Sequence, residues 1–172
     1  MSFLLRLKEL TQTRRYWSLY IIGSLLMLAF ALYIQFVREE LPCLMCIQVR
    51  ILMLLLILVA TAGLLLRNNR LANTIVHFLI VLIAVAFTER AYQLLGTERG
   101  FVFGDCGFDL GLPAWLALEE WLPWLFRIET PCGYTPVIAF GITIAEAMMV
   151  ISVPFLLVSI SFTLASLLKN KP

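Results

Sequence analysis

Charge is scarce in this sequence. Asp, Glu, Lys and Arg make up 14% of its 172 residues, against about a quarter in an ordinary soluble domain. Hydrophobic residues make up 62% and the mean hydropathy is +0.95, so the chain is neither disordered nor a water-soluble domain. A strong field of one sign is also missing. Thirteen Lys and Arg stand against 11 Asp and Glu, for a net charge of +2, which leaves no basic surface for nucleic acid. There is no glycine-rich dinucleotide fingerprint, so a nicotinamide or flavin acceptor has no support. No internal repeat or low-complexity tract is present, and the length suits one domain.

What is there is long apolar runs. A bilayer core of about 30 Å needs about 20 such residues as a helix. Four stretches qualify: residues 17–36, without a charge; 47–66, interrupted only by Arg50; 71–93, polar in its last third; and 147–168, with Pro154 inside. The expected fold is an all-α integral membrane protein, a bundle of four transmembrane helices. Ala29-Phe30-Ala31 matches a small-x-small cleavage site, but apolar sequence continues through Phe36, so a retained span is expected. Arg6, Lys8, Arg14 and Arg15 precede the first span, Arg67 and Arg70 lie in the second loop, and Lys169 and Lys171 follow the last span. This asymmetry predicts both termini on the cytoplasmic side, with loops 37–46 and 94–146 on the other.

All four cysteines fall in those two outer loops or at their edge: Cys43, Cys46, Cys106 and Cys132. That is the side on which disulfides form and persist. Pro42-Cys43-Leu44-Met45-Cys46 puts a C-x-x-C at a helix entrance, where the helix N-terminus favours the thiolate and the pair can close a reducible disulfide. The motif alone also allows half of a zinc site, whereas Ile47 in place of histidine excludes c-type haem attachment. Arg50 follows Cys46 by four residues, one turn along the same face. A guanidinium at that depth either finds an anionic partner, such as a thiolate or a reduced organic acceptor, or snorkels to the headgroups. Cys106 and Cys132, 26 residues apart in a loop rich in glycine and proline, form either a structural staple or a second redox pair.

Residues 112–126 carry Trp115, Trp121 and Trp124 with Glu119 and Glu120, and are expected to form a short interfacial helix in the long loop. His77, near the cytoplasmic end of the third span, is expected to be a packing residue, and Glu146 to favour the start of the fourth helix. Arg90 either pairs with Glu89 or faces the same pocket as Arg50.

Taken together, the spans, Pro42-Cys43-x-x-Cys46, Arg50, the interfacial piece and the Cys106–Cys132 step resemble the bacterial disulfide-bond formation protein DsbB family over nearly the whole chain. The resemblance implies a thiol:quinone oxidoreductase of the bacterial inner membrane, an enzyme whose long periplasmic loop meets a DsbA-like thiol oxidase. In that reading Cys106, Cys132, Cys43 and Cys46 are catalytic. Arg50, joined by Arg90 where that residue faces the same pocket, binds a quinone, ubiquinone or menaquinone, drawn from the lipid pool; no metal is required. Residues 133–145 lack tryptophan, and Ala145-Glu146-Ala147 stands where the family often has a proline and an aromatic, a departure that fits a paralogue with a dedicated partner. DsbA-type oxidases are known to be poised near −120 mV, too oxidising to be reoxidised by glutathione, so a membrane-soluble acceptor supplies the driving force. The rival readings are a metal protein with all four cysteines as ligands, a membrane protein with two static disulfides, and an enzyme resembling vitamin K epoxide reductase, in which the C-x-x-C is placed differently.

Overall fold

A computed structural model describes residues 9–103, 107, 109–139 and 141–167. The protein is an all-α membrane bundle. Its four long helices, each apolar and long enough to cross a bilayer, are α1 (Arg14–Val37), α2 (Leu44–Leu66), α3 (Arg70–Arg99) and α6 (Ile144–Leu167). The loop between α3 and α6 holds two single-turn helices, α4 (Leu118–Trp121) and α5 (Pro123–Phe126), and a two-stranded antiparallel ribbon, β1 (Val137–Ala139) and β2 (Ile142–Thr143).

Side-chain caps set the helix starts more than hydropathy does. Thr13 caps α1 through the Tyr16 N–H, and Asn69 caps α3 through the N–H groups of Leu71 and Ala72. At α6, Thr143 Oγ1 accepts from the Glu146 N–H at 3.3 Å while Glu146 Oε2 accepts from the Thr143 N–H at 3.1 Å, a reciprocal capping box. This starts α6 at Ile144, three residues before the hydropathy boundary, with Glu146 in its first turn as expected. α3 runs to Arg99, six residues past the expected Gln93, and ends where Gly100 adopts the left-handed conformation at φ 75°. α6 continues through Pro154.

Consecutive spans pack side by side, and α3 against α6 is the most extensive contact. Small residues permit the close approach: Ala60, Ala84, Ala91 and Ala145 are fully buried. In one half of the bundle Trp17, fully buried, lies over Gly63, donates from Nε1 to the Thr11 carbonyl at 2.9 Å, and stacks on His77 with ring centroids 5.1 Å apart. His77 is therefore a packing residue of the cluster built around Tyr16 and Trp17, separate from the cluster that contains Cys43. Between α1 and α6 the bundle is open, and two cavities occupy that gap.

Instead of one interfacial helix, residues 114–126 form a 3-10 turn, Ala114–Leu116, followed by α4 and α5. Leu122 breaks the run with φ −134° and ψ 67°, ahead of Pro123, which cannot supply an N–H to a continuing helix. Trp115, Trp121 and Trp124 are all exposed, as an interfacial anchor requires, whereas Leu125 and Phe126 turn inward onto Leu44 and Ile47 of α2.

Candidate functional site

Pro42 and Cys43 end the first loop, and Cys43 is the N-cap of α2, its sulfur accepting from the Cys46 N–H at 3.4 Å. The Cys43 and Cys46 sulfurs are 2.8 Å apart, less than 1 Å from a disulfide bond length of about 2.05 Å. Cys43 is buried, and Cys46 partly so.

The long loop folds back onto this corner. The Glu129 N–H donates to the Pro42 carbonyl at 3.0 Å, and Thr130 forms a parallel bridge with Cys43. Two residues later, Cys132 comes within hydrogen-bonding reach of the Cys43 sulfur. Three of the four expected cysteines are thus brought together; Cys106 lies outside the described residues. Cys132 favours the Cys43 thiolate, but the hydrogen bond with Cys46 and burial outweigh it and push the Cys43 thiol up to about 12. The helix N-terminus therefore does not leave Cys43 ionised: in a reduced pair Cys43 keeps its proton.

Arg50 is 3% exposed, one turn below Cys46. Its NH1 donates to Gln35 Oε1 of α1 at 2.6 Å and to the Leu125 carbonyl of α5 at 2.9 Å, while its buried Nε has no partner. The guanidinium is thus held inside the protein, not drawn out to the headgroups. Gln35 was not anticipated, although a lone amide in an otherwise apolar run was a signal for it.

Cys46, Arg50 and Gln35 share the wall of a cavity of about 340 Å³ between α1, α2 and α6, otherwise lined mainly by apolar side chains such as Val49, Met53 and Met148. A second cavity, of about 680 Å³, lies further along the α1–α6 gap, and Met27, Met53 and Ile151 line both. Arg90 is not part of this wall. It projects from α3, where NH1 donates to Gln93 at 2.9 Å and Glu89 lies 4.0 Å away, so of the two expected placements the structure shows the one beside Glu89. Among the described residues, no group of three or more His, Cys, Asp or Glu is placed to hold a metal ion.

A model of the family "Disulfide bond formation protein DsbB" matches residues 13–162, nearly the whole chain and all of the corner just described. This chain belongs to the DsbB family. Among its relatives, disulfide bond formation protein B 2 of Pseudomonas aeruginosa is 35% identical over 122 residues, covering 70% of this chain and 72% of the relative. Disulfide bond formation protein B of Psychromonas ingrahamii is 31% identical over 172 residues, covering 96% and 90%, and that of Shewanella amazonensis is 28% identical over 159, covering 92% and 94%. As a DsbB-family member the chain is a multi-pass membrane oxidoreductase of disulfide bond formation.

The residues around the cavity fit the quinone that the DsbB family implies. A flat, largely apolar ring with polar oxygens asks for an apolar slot with one or two fixed donors, and Arg50 Nε is a buried donor without a partner beside Cys46.

Proposed function

We propose that the chain is a thiol:quinone oxidoreductase of the bacterial inner membrane that reoxidises a DsbA-like periplasmic dithiol oxidase. Both termini are then cytoplasmic and the cysteine corner faces the periplasm. One observation carries the reading: Cys46 and the buried cation Arg50 share a cavity wall, and Cys43 of the same C-x-x-C is in reach of Cys132. A static disulfide needs neither feature, and a guanidinium is a poor neighbour for a metal cation.

The chemistry is a series of thiol–disulfide exchanges. A thiolate of the partner attacks the Cys106/Cys132 disulfide at Cys106, and Cys132 leaves as a thiolate. Cys132 then attacks Cys43 of the Cys43/Cys46 disulfide, forming a Cys43/Cys132 bond and releasing the Cys46 sulfur. The partner's second thiol closes its own disulfide and frees Cys106, which recaptures Cys132 and leaves Cys43 reduced. Two electrons have then moved from the partner to Cys43 and Cys46. The released charge falls first on Cys46, while Cys43 is bonded to Cys132; Cys43, freed afterwards, takes up a proton, because burial and the hydrogen bond with Cys46 push its thiol up. Arg50 stabilises that charge and, through Nε, orients an acceptor carbonyl; Gln35 and the Leu125 carbonyl hold the guanidinium in place. A bound quinone supplies the two-electron sink. The second cavity gives room for an apolar tail along the α1–α6 gap, which favours a lipid-soluble acceptor over a small water-soluble one.

The test is anaerobic. Purified protein is mixed with a reduced DsbA-like oxidase and a soluble quinone, and quinone absorbance and thiol count are followed together. One quinone reduced per disulfide delivered, lost with Cys46→Ala, is the expected result. No quinone reduction, with native lipid quinones and a panel of DsbA-like partners included, overturns the reading in favour of static disulfides or a metal site.

A further inference from the structure

The segment that carries Cys132 is clamped on both sides. Before Cys132 it is fixed by the main chain, through Glu129 on Pro42 and Thr130 on Cys43. After Cys132 it is fixed by the last turn of α3. The Glu98 carboxylate oxygen Oε2 accepts from the hydroxyl of Thr135 and, at 3.1 Å, from that of Thr143. Thr135 is 5% exposed and follows Cys132 by three residues. Gly133, at φ 115°, a conformation that favours glycine, passes over the Thr97 methyl of the same turn. None of these contacts is required by disulfide chemistry itself, and all of them fix where Cys132 rests.

We propose that Glu98 is a positioning residue, whose carboxylate and the hydroxyls of Thr135 and Thr143 form a latch that holds Cys132 against Cys43 rather than against Cys106. This rests on the relay above, in which Cys132 exchanges between those two sulfurs. A carboxylate accepting two hydroxyls is stronger than a neutral pair of hydrogen bonds, and partial burial limits competition from water. The neighbouring ion pair, Arg99 with Glu146, has its arginine 59% exposed and contributes little to the same end.

The full-length Cys46→Ala protein reads the latch directly. With Cys46 gone, the Cys43 thiolate attacks Cys132 of the Cys106/Cys132 disulfide; the Cys43/Cys132 bond forms, the Cys106/Cys132 bond breaks, and Cys106 leaves as a thiolate. The number of disulfides is unchanged and no oxidant enters. The ratio of the two isomers, measured by non-reducing peptide mapping after an acid quench, reports the resting place of Cys132.

With Glu98 intact, Cys43/Cys132 is expected to dominate. Glu98→Ala is expected to shift the ratio toward Cys106/Cys132 by roughly tenfold or more. Thr135→Val is expected to shift it the same way, and Thr135→Ser to restore it. Arg99→Ala, which removes the ion pair to Glu146 on the same helical turn but none of the three latch groups, is expected to leave the ratio unchanged; an equal shift there means loss of the helix end in general and overturns the specific role of Glu98. A ratio unchanged in Glu98→Ala and Thr135→Val overturns the latch while leaving the relay intact. Should Glu98→Ala not fold, the Thr135→Val and Thr135→Ser pair decides alone. Failure of the parent Cys46→Ala protein to form any Cys43/Cys132 bond overturns both the relay and the latch.

Discussion

Replacing Arg50 by methionine keeps most of the side-chain volume and removes the charge. Its effect on Cys46 follows from position alone. Residues four apart on a helix have Cβ atoms about 6 Å apart, and at an effective dielectric of about 20 a unit pair at that distance is worth roughly 3 kcal/mol, or about a hundredfold in rate if the thiolate develops in the rate-limiting step. The loss of two charge-assisted hydrogen bonds to Gln35 and Leu125 also costs stability, partly offset because a buried cation no longer has to be desolvated. Arg50→Lys separates the two effects: it keeps the charge, gives up the planar fork, and is expected to lose about tenfold. The assay is stopped-flow quinone reduction by protein whose Cys43 and Cys46 have been reduced beforehand, with thiol exchange between a reduced DsbA-like protein and the outer cysteines measured in parallel. Arg50→Met is expected to lose about a hundredfold in the first measurement and little in the second. A loss under threefold in quinone reduction, or equal losses in both measurements, refutes the assignment of Arg50 to the acceptor side.

Two other predictions address the thiol and the packing. Because the Cys43 thiol is pushed from its ordinary 9.0 up to about 12, a difference of about 3 pH units, its thiolate fraction at pH 8 is roughly a thousandfold below that of an ordinary cysteine. Iodoacetamide labelling of the reduced protein, mapped by mass spectrometry, should give a Cys43 rate that still rises tenfold per pH unit between pH 9 and 10; a plateau there contradicts the assignment. In the other half of the bundle, Gly63→Ala drives a methyl group into the Trp17 ring, which cannot move away without giving up Thr11 and His77. The expected cost is about 1–3 kcal/mol, read as a drop of about 2–4 °C per kcal/mol in the thermal unfolding midpoint in detergent, with thiol exchange at 25 °C unchanged.

The spans were legible because a bilayer imposes a length and an apolar composition that little else in a sequence imitates. Their ends were less so, because hydropathy fades before hydrogen bonding does. α3 keeps its helical ladder through the polar residues 88–99 and stops only where Gly100 can turn left-handed, and α6 starts at a Thr-x-x-Glu box, not at the first uninterrupted apolar residue. Cys43, Cys46 and Arg50 could be read as one constellation because they share a single helix end. The approach of Cys132 to Cys43 could not be read from spacing: it depends on a main-chain bridge at Thr130 between segments 87 residues apart, and no local pattern encodes that register. Arg90 was ambiguous for a related reason. One residue of rotation on α3 decides which neighbour it meets, and the polar spacing of Glu89 and Gln93 settles it on its own helix.

The placement of the opening in the bundle bears on how such an enzyme meets its acceptor. α3 packs closely on α2 and on α6, with buried alanines at the contacts, and the Trp17, Gly63 and His77 stack ties α1 to the same core at one end. The α1–α6 gap is what remains, and it runs from the wall shared by Cys46 and Arg50 past Met27, Met53 and Ile151 to the region of Tyr16 and Tyr20. On the proposed reading, an acceptor would enter there from the lipid, and Arg50 and Gln35 would receive its polar end. On that reading the protein partner acts through Cys132 on Cys43, and the acceptor acts at Cys46, which lines the cavity where Cys43 does not. The two substrates then need not compete for one sulfur of the pair.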